Sequence, residues 1–380
     1  MPRRPDREIV TLHSDEGTDA SVLLSKCTQY ELVTSLTAPS SFRVELGDEG
    51  TWEQLRPFIP IGKRMTVSIN GQTRMKGRLL TRNLALSADA GGTVQLALRT
   101  RLADAMYTAC DPKIGVKNTN LKDVVLLAFK AMGLEEADFI FEANVARELL
   151  TGRSSPGKVA PEIHTLREDE ARVHPPETVY GFVDRHLSRF SLMMWDAPDG
   201  RIVIGAPDDE QTPVYMLTAR RGPASVANNI LSASKAEDYE EVPRDLWVYG
   251  AGGGRDQSKA VVKFVELETV LWAVTPPLDR MAVVIDESIK TQAQAEARAR
   301  REMMRRSLMK DTWTIETDGF GHWDGGAVVQ YLVDMVADVQ IDIAGGASGP
   351  YLLYEARMVG NAESGHTTHL TAAGKGIWRL

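Results

Sequence analysis

The chain has 380 residues, 43% hydrophobic and 25% charged, which is the balance of a folded protein and excludes wholesale disorder. Its 44 basic and 52 acidic residues leave a formal net charge of −8, which argues against a protein whose main task is gripping nucleic-acid phosphates, though DNA could still pass it without sticking. No run approaches the ~18 uncharged apolar residues of a membrane span, and no apolar segment follows the basic start MPRRPDREIV, so neither a membrane span nor a signal peptide is expected.

Residues 20 to 100 read as β. SVLLSKCTQYELVTSL carries short β-branched runs, and in SSFRVEL the apolar Phe42, Val44 and Leu46 alternate with polar neighbours, the period of a half-buried strand. Trp52 falls in a turn or short helix. VSINGQTRMKG, Val67 to Gly77, is a hairpin signal, because Asn70-Gly71 readily takes positive φ at both central positions of a tight turn. RLLTRNLAL and GGTVQLALR follow, the latter with Val94, Leu96 and Leu98 on one face.

Beyond residue 102 a helical period takes over. In NLKDVVLLAFKAMGL, residues Leu121, Val124, Val125, Ala128, Phe129 and Met132 share a face, and Gly133 is placed to stop the helix. The stretch from Thr151 to Pro176, rich in charge, Pro and Gly, reads as a long loop. PPETVYGFVDRHLSRF predicts a second amphipathic helix with Val179, Phe182, Val183, Leu187 and Phe190 on one side. SLMMW and RIVIG, joined by DAPDG, then predict a hairpin. NNILSAS and RDLWVYG read as strands and GAGGGRD as a junction. A long helix is expected over 292–310, opened by a Thr291–Gln294 capping box and burying Ala293, Ala297, Met304 and Leu308. Near the end, VQIDIAGGASG, Val339 to Gly349, repeats the pattern of VSINGQTRMKG, and PYLLYEARMV and GHTTHLTAA follow it as two strands follow the first. One hairpin grammar is written twice.

Enzyme signatures are missing. There is no G-x-S-x-G elbow, P-loop or H-E-x-x-H. GAGGG follows the strand-like LWVY but lacks both the full G-x-G-x-x-G and a helix after it, so a hinge is preferred to a dinucleotide site. His366 and His369, three apart on a strand, face opposite sides and read as strand histidines rather than a metal pair. Asp196, Asp199, Asp208, Asp209 and Glu210 gather around the predicted hairpin and read as solvated turn carboxylates. A cell-wall glycan hydrolase working through them is the alternative of another class. Arg298, Arg300, Arg301, Arg305 and Arg306 lie on one helix, but Glu296 and Glu302 interrupt them, which favours a solvated or subunit-facing surface over a phosphate clamp. Cys27 and Cys110 have neither disulfide-framework nor zinc spacing and are expected as reduced thiols. No catalytic residue, cofactor site or metal ligand is assigned.

The order of these parts resembles the baseplate hub proteins of contractile-tailed phages, namely the Mu-like hub and late-control D family, whose hub body also forms the N-terminal part of type VI secretion spike proteins. The resemblance is carried by ETVYGFVDRHLSRFSLMMWDAPDGRIVIGAP (Glu177 to Pro207), NNILSAS (Asn228 to Ser234), GGTVQLALRTRLADAM (Gly91 to Met106) and the terminal GPYLLYEARMV…GHTTHLTAA.

It implies a mainly β chain with an α+β insert and two similar β-barrel-like hub domains, assembled as a homotrimer into a pseudo-sixfold ring. The domains implied are a first barrel at 1–105 completed by strands from 211–250, an α+β insert at 106–210, and a second barrel at 251–380 with the long helix at 292–310. Such a ring joins a sixfold tail tube to a threefold central spike. It encloses a channel for tape-measure protein and DNA, with an acidic or neutral lumen expected, and baseplate wedge proteins are further partners. The family supplies no catalytic residues and no cofactor. The chain stops at GIWRL without an oligosaccharide-binding barrel or β-helix, which favours a phage hub with a separate spike, located in the virion tail baseplate and assembled in the host cytoplasm. The hub of a phage-tail-like bacteriocin or secretion machine is the related alternative.

Overall fold

The computed structural model describes residues 10–14, 22–23, 27–47, 56, 60–87, 91–116, 119–141, 165–166, 171–221, 228–250, 259–263, 280–287, 289, 292–308, 312–323, 328–342, 346–361 and 365–374. Trp52, Thr291, most of the 151–176 loop and the GAGGG glycines after Gly250 lie outside them.

Alternating apolar residues build the first half of a thirteen-stranded sheet. Its strands are β1 (Val10–Ser14), β2 (Cys27–Ser35), β3 (Ser41–Leu46), β4 (Arg64–Ile69), β5 (Gln72–Ser87) and β6 (Gly91–Arg99), with the two-residue strand Val22–Leu23 on the outer edge of β1. Phe42, Val44 and Leu46 are buried between exposed or half-buried neighbours, as their period predicts. Asn70 and Gly71 take φ of 51° and 79°, the two-residue hairpin turn expected of that dipeptide.

The chain then leaves the sheet for an α+β insert. Its helices are α1 (Arg101–Ala105), α2 (Leu121–Lys130) and α3 (Val179–Ser188), capped by Thr100, Asn120 and Thr178. The hairpin β7 (Met193–Asp196) and β8 (Ile202–Gly205) completes it, with Phe139–Ile140 added parallel to β8. Val124, Val125, Phe129, Phe182, Val183 and Leu187 form the insert's own core, and Gly133 ends the α2 segment at φ 70°.

The second half of the sheet comprises β9 (Tyr215–Ala219), β10 (Ile230–Ala236), and, after a further excursion, β14 (Thr312–Asp318), β15 (Met335–Ile341), β16 (Ser348–Asn361) and β17 (Gly365–Gly374). The excursion is a small sheet, β11 (Asp245–Gly250), β12 (Lys259–Lys263) and β13 (Met281–Asp286), covered by α4 (Gln292–Ser307). Ala295, Ala299 and Met303 of α4 are buried in two small clusters with Val248, Ile289 and Leu246. Met304 and Leu308 are buried as expected, while Ala297 is half-buried and Ala293 has no described side chain.

The two halves are copies. The first runs in space β1-β4-β5-β6-β3-β2 and the second β9-β15-β16-β17-β14-β10, which is one order when each set is counted along the chain. Registers agree away from the turns. Val67 pairs with Met75 and Val339 with Gly349, the second connection being two residues longer, and the slip between Val67 and Ser68 has no counterpart in the β15–β16 ladder. The β5–β6 ladder slips between Leu79 and Thr81, and the β16–β17 ladder slips between Leu353 and Glu355. The β2–β3 ladder slips between Cys27 and Gln29, opposite Leu46 and Glu45; β10–β14 does so between Ile230 and Ser232, opposite Thr317 and Glu316. Such bulges are placed features rather than noise. Core volume is also matched: the fully buried pair Phe42–Leu98 stands where the second copy has Trp313–Ala372, a larger ring against a smaller partner.

Two expectations are corrected. Among the described strands no ladder closes either copy into a barrel; the sheet is open and branches at β16, which pairs with β15, β17 and β2. β9 and β10, expected to complete the first copy, pair with β15 and β14 of the second, because the partner of a strand is set by tertiary register and not by its local composition. The copies also differ at one edge: β1 is antiparallel to β4, whereas β9 is parallel to β15.

Candidate functional site: the seam between the repeats

The chemistry that the sequence offered does not converge. The Asp196 carboxylate is buried and accepts hydrogen bonds from the Ser40 amide at 2.7 Å and the Thr100 hydroxyl at 2.9 Å. Burial pushes it up to about 6, held back by those hydrogen bonds from Ser40 and Thr100. It is a tether between the insert hairpin and the first repeat, not the solvated acid expected. Asp199 pairs with Arg201 across the turn, and Asp208 accepts from the Glu210 amide. Asp209 is buried too, and Glu210 is exposed. The Thr100 hydroxyl beside Asp196 is taken up by that hydrogen bond and by capping α1.

His366 meets the Tyr30 hydroxyl at 2.8 Å through Nδ1 and lies against Phe320, whereas His369 stands opposite Glu316 and Arg357 in the ladders. No group of metal-binding side chains occurs among the described residues. Gly250 ends β11 against Ile289, where an added Cβ would come within 2.5 Å of the Ile289 carbonyl oxygen. The next described element is the antiparallel β12 rather than a helix. That close approach, not a nucleotide, accounts for this glycine.

On the arginine helix one carboxylate gathers three of the five guanidinium groups. Glu302, buried at the centre of α4, receives Arg298, Arg305 and Arg306. Burial would raise its pKa, but hydrogen bonds and charge from Arg305, Arg298 and Arg306 outweigh it and hold the carboxyl at about 2. Arg301 reaches out of this cluster to pair with Asp184 and to donate 2.7 Å to the Leu192 carbonyl, which fastens the insert to α4. A cleft of about 680 Å³ runs between α3 and α4, lined in part by Asp184, Arg185, Arg298 and Arg301. Arg185 is itself bound to Glu177 at 2.8 Å.

What the fold does build with care is the seam where the second repeat meets the first. The distal half of β16 pairs antiparallel with β2, from Glu355 opposite Ser35 to Asn361 opposite Gln29. Met358, Ala356, Leu32 and Tyr30 are buried along it. Tyr30 packs edge-on to Phe320 at 6.1 Å and tilted to Phe42 at 6.4 Å, and Arg357 pairs with Glu31 on the rim. Gly360 lies directly under Tyr30, where a Cβ would sit 2.1 Å from the ring. A second tie joins the β4–β5 hairpin to the other repeat: Gln330 Nε2 donates to the Ile69 carbonyl at 2.9 Å, and the buried Arg74 donates to the Tyr331 carbonyl. In the sequence this seam is marked only by Gly360 near the end of a strand whose preceding run, YLLYEARMV, is mostly large.

No protein-family model matches the chain, and no curated protein matches it by sequence. Solved structures do. A tail protein from Neisseria meningitidis MC58 aligns with TM-score 0.74 at 19% identity over 98% of both chains. The 43 kDa tail protein of prophage MuSo2 from Shewanella oneidensis aligns with TM-score 0.70 at 14% identity, covering 97% of this chain and 99% of that one. The E. coli c3393 protein, described as a component of the type VI secretion system with structural similarity to T4 bacteriophage tail proteins gp27 and gp5, aligns with TM-score 0.54 at 10% identity over 96% of this chain and 77% of that one. The chain has the fold of phage tail proteins.

Proposed function

We propose that this protein is a structural, non-enzymatic component of a phage tail, specifically the hub at the centre of its baseplate. In this reading three copies form a ring in which six similar repeats alternate, matching a sixfold tail tube on one side and a threefold spike on the other. The ring encloses the channel for tape-measure protein and DNA, with wedge proteins around it, and the virion tail is its location. The division into a first repeat, an α+β insert and a second repeat belongs to the same proposal.

The observation that carries the reading is the duplicated strand order with matched bulges, found in a fold shared with phage tail proteins. A duplicated unit within a threefold assembly presents sixfold pseudo-symmetry without six chains. The carboxylates weighed as a glycosidase pair support the structural role, since Asp196 and Asp199 are bound to Ser40, Thr100 and Arg201.

Solution mass tests this directly. At tens of micromolar, sedimentation equilibrium is expected to give three times the 41.8 kDa chain, and electron microscopy of that species a six-lobed ring with a central opening. A monomer at all concentrations, or a trimer without an opening, would overturn it.

A further inference from the structure

We infer that copies of this chain join by strand addition between the distal half of β5 in one copy and β10 in the next, in the register that β16 and β2 already use inside the chain. The inference rests on the ring reading above and names its joint.

The argument is one of unfilled equivalents. β16 pairs with β17 on one edge, and its other edge is shared, Ser348–Leu353 going to β15 and Glu355–Asn361 to β2. β5 is the matching strand of the first repeat. It pairs with β6 on one edge and gives Gln72–Arg78 to β4 on the other, but among the described residues no strand ladder covers that second edge over Thr81–Ser87. β10 is the match of β2, and among the described residues its only ladder is with β14. Asn229, just before β10, bonds to the Thr218 amide and Met216 carbonyl of β9, yet no ladder of the described residues covers the outer edge beyond it. Within the described residues each chain therefore fills one socket with one strand internally and leaves a second socket and a second strand open. Open edges of this kind invite pairing. A head-to-tail copy fills both, and such a joint ends only when the ring closes.

Carrying the internal register across gives named partners. Ala356 opposite Thr34 becomes Arg82 opposite Glu237, a pair of opposite charge in which Arg82 would share the carboxylate that Lys235, in the same copy as Glu237, already binds. Arg357 with Val33 becomes Asn83 with Ala236, and Met358 with Leu32 becomes Leu84 with Lys235. Met358 is 1% exposed in the filled seam, whereas Leu84 is 63% exposed on the open edge. At the β10 bulge, Leu231 is 59% exposed. The aliphatic stem of Lys235 would cover Leu84 as Leu32 covers Met358.

Two sets of variants test the joint on the full chain. In an antiparallel ladder adjacent pairs alternate between hydrogen-bonded and closer non-hydrogen-bonded geometry, so either N83C/A236C or L84C/K235C should oxidise to a ladder of covalent oligomers ending at the trimer. N83C/K235C places its thiols on opposite faces and should not, and the parent chain with Cys27 and Cys110 alone should stay uncrosslinked. R82E should weaken each joint about tenfold by turning attraction into repulsion, hence the trimer about a thousandfold, and R82E/E237R should restore it. A parent chain that is a monomer throughout overturns both the ring reading and this inference. A parent trimer whose cysteine pairs stay uncrosslinked, or that is indifferent to R82E, overturns the joint alone.

Discussion

Replacing Asp196 by Asn isolates the tether between insert and sheet. The wild-type carboxyl titrates at about 6 in the folded protein, against about 3.9 in an unfolded chain. A folded-state pKa above the unfolded one means that the folded protein holds the proton more tightly. The carboxyl therefore favours folding most below pH 4, and that advantage is lost as pH climbs through 6. Two pKa units correspond to about 3 kcal/mol, and the group is wholly buried, so solvent screening does not reduce this. Urea unfolding of wild type and D196N at intervals from pH 4 to 8 reads the effect as a difference, in which the titration of every other carboxylate cancels. Wild type should gain up to about 3 kcal/mol over D196N on going from pH 7.5 to pH 4. T100V, which removes one donor to the carboxylate, should move the transition to higher pH. A difference between wild type and D196N that does not vary with pH would refute the reasoning.

Two further substitutions probe the seam and the arginine cluster. Gly360→Ala forces a methyl into the Tyr30 ring and should destabilise by about 1–3 kcal/mol; thermal unfolding of G360A/Y30A should then show no greater loss than Y30A alone. Glu302→Gln leaves Arg298, Arg305 and Arg306 without their shared anion. Since the folded carboxyl is depressed to about 2, its contribution is present above about pH 4.5 and lost as pH falls through 2. With Arg305 largely in solvent, the cost at pH 7 should be about 1–2 kcal/mol, measured by denaturant midpoint and shrinking toward acid.

Local period was legible and tertiary partnership was not. Phe42, Val44 and Leu46 announced their strand because every second residue is buried, and Val124, Val125, Phe129, Phe182 and Leu187 announced theirs by helical spacing. The duplication was visible in the hairpins because the β4–β5 and β15–β16 ladders are set by short-range turns and alternation. β10 was misplaced because ILSASKA is nearly featureless and its partner β14 lies beyond the β11–β13 excursion. Asp196 passed for a turn acid because the groups that bury it, Ser40 and Thr100, are far away in sequence. Arg301 read as part of a solvated stripe because its destination, Asp184, belongs to the insert.

The excursions are placed unequally. Helices α1 to α3 interrupt the chain between the two copies, while β11 to β13 and α4 interrupt the second copy between its second and third strands, and the first copy spans the same point directly from β2 to β3. One strand order thus carries two different attachments at two different points, so the halves are alike in their sheet and unlike in what they offer to neighbours.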